Sequence, residues 1–204
     1  MARAIDLFKS RNLSMSEFRF VQTALIVILG LGVTEILRNI GNQISRRAKL
    51  EIYPLQIFVS CSILLFILMW LWNFSQSIDV RWTLPVFLLQ MIAPIALALS
   101  AQIVGLDFSS KKSPEEQYFD NCTAIYLILA IVPLVAVFTT MTNLDYMPIK
   151  RDSLILINVG RLVESGFIAS LGFIKKPVYH WSVVVGLLIV FFDSELKIVF
   201  ELNF

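Results

Sequence analysis

The sequence predicts an all-α integral membrane protein, a bundle of about six transmembrane helices. Three observations predict it. Hydrophobic residues make up 57% of the 204 and charged residues only 16%, against about 45–50% and about 25% in soluble domains; the mean hydropathy is +0.77. Apolar runs of about 20 residues, enough to cross a hydrocarbon core of about 30 Å, recur along the chain. The tryptophans (Trp70, Trp72, Trp82 and Trp181) all fall near the ends of such runs, where interfacial aromatics belong.

The first helix is predicted over 14–45, opened by Ser14-Met-Ser-Glu17, which fits a capping box. At 1.5 Å per residue it measures roughly 46 Å, so it must tilt or project beyond the bilayer. Residues 1–12 show no short apolar core followed by a small-residue cleavage site, so the first helix is expected to serve as its own insertion signal. The second and third helices cover 54–74 and 82–104. The fourth covers 113–141 and opens on Ser113-Pro-Glu-Glu116, a second capping box with Pro114 at the first helical position. The fifth covers 152–174, with Asp152-Ser153 as its cap, and the sixth covers 179–200.

Helices one and five carry charge. If they lie in the membrane plane or re-enter it, four spans remain. With six spans, seven basic residues flank each face, and the positive-inside rule gives no orientation. If the first helix does not cross, the count becomes eleven against three.

Charges at membrane depth are the sharpest chemical signal, because each costs a few kcal/mol unless paired. Glu35 and Arg38 lie three apart on one helix, Arg161 and Glu164 three apart on another. They form a neutral quartet clamping helices one and five, or two intrahelical pairs that snorkel, or part of an ion or proton pathway. On the third helix, Gln90 and Gln102 stand among small residues, an arrangement suited to close packing or to a pore lining. Pro94 and Pro133 fall near mid-span and kink their helices. Gly30 and Gly32, with Gly166 and Ser170, point to tight contact between helices one and five or between subunits.

The tail mixes charge with apolar bulk. Its residues Glu195, Lys197, Phe200, Glu201 and Phe204 make a partner-docking helix or the end of helix six sliding into the headgroups. His180, the single histidine, reads as an interfacial aromatic without a partner. No nucleophile with its base, no carboxylate dyad and no metal-ligand spacing is present in the sequence, so neither enzyme activity, a metal nor a cofactor is expected. A net charge of +2 is too small to imply nucleic acid.

The stretch Ile28-Leu-Gly-Leu-Gly-Val-Thr-Glu-Ile-Leu-Arg-Asn-Ile-Gly41 resembles the first helix of a broad group of small polytopic bacterial inner-membrane proteins. So do the Trp-rich second helix, the Trp82-Thr83 start of the third and the Tyr118-Phe119 pair before the fourth apolar run. The resemblance implies bacterial origin and about six helices, and it brings no activity.

The expected function is a non-enzymatic, homo-oligomeric subunit of the bacterial inner membrane. It senses the bilayer or anchors a soluble cytoplasmic partner, as in two-gene phage-defence systems. The alternative is an ion channel or small transporter formed by an oligomer.

Overall fold

The computed structural model describes residues 2–46, 53–75, 84–107, 110–142 and 151–189. Among them every regular element is a helix. These are α1 (Ala2–Arg46), α2 (Pro54–Ser75), α3 (Leu84–Ile103), α4 (Pro114–Thr142) and α5 (Arg151–Leu171), followed by a shorter α6, Pro177–Ile189. Four stretches are long and apolar enough to cross a membrane: Phe18–Ser45, Pro54–Trp72, Leu84–Ile103 and Pro114–Met141. The expected all-α membrane bundle is therefore the fold. Helices suit such a chain because hydrocarbon offers no partner for an unpaired backbone N–H or C=O.

The α4 start follows the capping box atom for atom. The Glu116 N–H donates to Ser113 Oγ at 3.2 Å, and the Ser113 N–H donates to Glu116 Oε2 at 2.9 Å. The corresponding box at Ser14–Glu17 opens nothing, since α1 is already helical from Ala2. Its 45 residues extend about 67 Å. Asp152 and Ser153 likewise lie inside α5, which is in place at Arg151. The tail residues Glu195, Lys197, Phe200, Glu201 and Phe204 lie outside the described residues.

Contacts between helices fix their directions. Gly32 lies against Ala98 and Gly105 against Asn39, so α1 and α3 run parallel. Stacking of Phe18 on Phe74, with Gly32 near Ile67, makes α2 antiparallel to α1. Thr140 meets Arg161, Ala130 meets Ser165 and Thr123 meets Gly172, an antiparallel α4–α5 pair. The Ser170–Tyr179 hydroxyl contact, 2.7 Å, closes the α5–α6 turn, and α6 runs back along α4.

The core is apolar and fine-grained. Leu29, Ile36, Ile63, Ile67, Leu97, Ala101 and Ile125 are buried together. On α3 the small residues do the packing: Ala93, Ala96, Ala98, Ser100 and Ala101 are all buried, whereas Gln102 is exposed and Gln90 half-buried. Pro94 and Pro133 are buried inside helices that continue past them. The contact expected between helices one and five at their glycines is made elsewhere. Gly32 packs on α3, and a side chain at Gly30 or Gly166 would meet nothing within 4 Å.

Candidate functional site: a carboxyl-edged cavity and a buried tyrosine–histidine chain

Of the arrangements expected for the four charged residues, the quartet does not form. Glu35 forms an ion pair with Arg38 on its own helix, and Asn39 Nδ2 donates to Glu35 Oε1 at 3.5 Å. This pair lies near the end of the bundle where α3 passes into α4, with Arg38 largely exposed. It is an intrahelical i,i+3 pair. Arg161 stands toward the opposite end. Its Nη1 donates to the Ala136 carbonyl at 3.1 Å and to Thr140 Oγ1 at 2.5 Å. A quartet fails because α1 packs on α2 and α3 while α5 packs on α4. The two pairs also sit at different levels.

Glu164 lies one turn beyond Arg161 and lines a cavity of about 60 Å³ bounded by α2 to α6. Ser62, Phe66, Leu97, Tyr126, Pro133 and Val184 are among its walls. Ser62 spends its hydroxyl on the Phe58 carbonyl at 2.8 Å. Pro133 withholds the N–H that would otherwise bind the Leu129 carbonyl, and both residues border the cavity. Ser165 Oγ, next to Glu164, donates to the Ala130 carbonyl at 2.8 Å. The carboxyl is thus held at the edge of an apolar chamber between two α5 side chains fastened to α4.

The second feature starts at the same cavity and runs to the α3–α4 end. The Tyr126 and Tyr118 hydroxyls lie 2.6 Å apart, and Tyr118 OH lies 2.8 Å from His180 Nδ1. His180 Nε2 stands 2.8 Å from the Ile174 carbonyl. All three side chains are buried, His180 completely. A carbonyl only accepts, so Nε2 carries a hydrogen, and in the neutral ring Nδ1 accepts from Tyr118. Tyr118 in turn accepts from Tyr126, which leaves every group in the chain partnered. The Phe119 ring lies edge-on to His180 at 5.3 Å, and Tyr53 packs on Tyr118 at 5.5 Å.

This chain escaped the sequence reading, which gave His180 no partner. Half the signal was present: Tyr118, Cys122 and Tyr126 repeat every four residues and share one face of α4. The histidine arrives from 62 positions away, through a turn whose packing no local pattern encodes. No family model, curated protein or solved structure matches this chain.

Proposed function

We propose that the chain is a non-enzymatic, multi-pass subunit of a bacterial inner membrane, assembling as a homo-oligomer and anchoring a soluble cytoplasmic partner. The observation that carries this reading is the unbroken length of α1. Its apolar stretch is Phe18–Ser45, yet the helix begins at Ala2. Sixteen residues, about 24 Å of helix, continue past the membrane-spanning part and bring Arg3, Lys9 and Arg11 with them. A rigid basic post of this kind suits docking of a protein at the bilayer surface. The direction of α6 is consistent with it, since α6 heads for the same end of the bundle.

The test is extraction from native membranes in a mild detergent followed by mass spectrometry of the intact assembly. The expected result is an oligomer carrying a stoichiometric soluble protein that is lost when residues 2–16 are deleted. A bare monomer overturns the reading, and so does a partner retained after the deletion. The cavity at Glu164 favours a second reading, a small transporter formed by an oligomer, which predicts solute flux into liposomes.

A further inference from the structure

We infer that the cavity edged by Glu164 is a binding site for a lipophilic monocation of the alkylammonium type. The inference goes beyond the anchoring reading and does not depend on it. The carboxyl borders a chamber whose other walls are almost wholly aliphatic or aromatic. Arg161, one turn away on α5, attracts Glu164 electrostatically, and its guanidinium also donates to the Ala136 carbonyl and Thr140 on α4. The neighbouring hydroxyls are committed elsewhere: Ser62 to Phe58, Ser165 to Ala130, Tyr126 to Tyr118.

A carboxylate facing hydrocarbon without donors is strongly disfavoured. A cation that enters supplies, at contact distance, the positive charge that the chamber walls do not. Phe66 and Tyr126 on the walls add the attraction of aromatic rings for cations. The volume of about 60 Å³ accommodates an ammonium head with its first few methylenes. Water is a poor occupant, since a buried water needs two to four polar partners and the walls offer little beyond the carboxyl. A neutral alcohol gains the same apolar contacts and lacks the charge, so charge is what the site should select.

The test uses the full chain in phosphatidylcholine nanodiscs and dicyclohexylcarbodiimide, an apolar reagent that adds to a protonated carboxyl, with peptide mass spectrometry as the readout. The expected result is modification at Glu164 in the unliganded protein. n-Octylammonium should suppress it at least tenfold more effectively than n-octanol at equal membrane-bound concentration. Equal protection by the two, protection by neither, or an unmodified Glu164 overturns the proposal. In a second arm, Val184→Phe fills the chamber and leaves the carboxyl in place. Octylammonium binding measured by equilibrium dialysis should fall at least tenfold in this variant, and unchanged binding overturns the assignment to this cavity. Since the primary readout is made on the unaltered chain, a folding defect in the variant does not decide the outcome.

Discussion

At His180 a single carbonyl sets the direction of three hydrogen bonds. Because the Ile174 oxygen accepts from Nε2, Tyr118 must donate to Nδ1 and Tyr126 to Tyr118. Tyr118 is the only member bonded to two others through one hydroxyl. Tyr118→Phe leaves both the imidazole nitrogen and the Tyr126 hydroxyl buried without partners, a loss of about 2–4 kcal/mol. Tyr126→Phe removes only the outer donor and should cost about 1 kcal/mol. Thermal unfolding in detergent micelles should rank the variants in that order, and equal losses would refute the chain. Tyr53 gives a pH signature beside them. Burial, with the Glu115 carboxylate adding to it, pushes its phenol up to about 12. The fold thus favours the neutral form, and this contribution is complete below pH 10. It fades as pH climbs from 10 toward 12, where the unfolded chain ionises and the folded one does not. Phenolate difference spectra should show a component titrating near pH 12 that disappears in Tyr53→Phe. The tyrosines were legible in the sequence as one stripe on α4, whereas their partner was not, because hydrogen bonding across 62 residues depends on where α6 docks.

Helix ends and helix contacts differ in how much of them local sequence encodes. The α4 start was legible because a capping box and Pro114 act within four residues. The similar Ser14–Glu17 motif misled because a capping pattern permits a helix start without requiring one, and the preceding residues are themselves helix-compatible. Small residues marked close packing on α1 but pointed to helix five or to another subunit, whereas within the chain Gly32 meets α3 and α2. Gly32 is the point of contact: a Cβ there would sit 3.2 Å from both the Ala98 Cα and the Ile67 side chain. A helix backbone cannot yield as a side chain tip can, so Gly32→Ala should destabilise the bundle by about 1–3 kcal/mol, the usual range for overpacking. Gly30, two residues earlier, has open space, and Gly30→Ala should gain up to about 1 kcal/mol from helix propensity alone. Chemical unfolding in mixed micelles measures both changes. Matching signs would mean that α1 does not meet α3 at Gly32.

For the whole molecule, the open question in the sequence was whether four or six helices cross, since the flanking charges balance at seven on each face. Packing supplies what charge counting lacks. The α5 helix carries Arg161 and Glu164 and is not among the four strongly apolar stretches, yet from Arg161 to its end it runs antiparallel to α4. Its far end returns to Thr123, whose Oγ1 donates to the Gly172 carbonyl at 2.6 Å. A charged helix can lie at this depth because Arg161 is satisfied by α4 groups and Glu164 faces a protein chamber, so neither charge needs to meet lipid tails. Lys175, just after that turn, should therefore share a membrane face with Lys112, at the α3–α4 connection, and lie opposite Leu84. The test places single cysteines at Lys112, Lys175 or Leu84 in a Cys61→Ser background, with the buried Cys122 left in place. A membrane-impermeant maleimide is then applied to intact cells and to inverted vesicles. Labelling of Lys112→Cys and Lys175→Cys from one side, with Leu84→Cys from the other, means that α5 crosses. Lys175→Cys labelled from the same side as Leu84→Cys would mean that α5 does not cross. The Glu164 chamber would then lose one of its membrane-embedded walls, and the cation proposal would lose its low-dielectric setting.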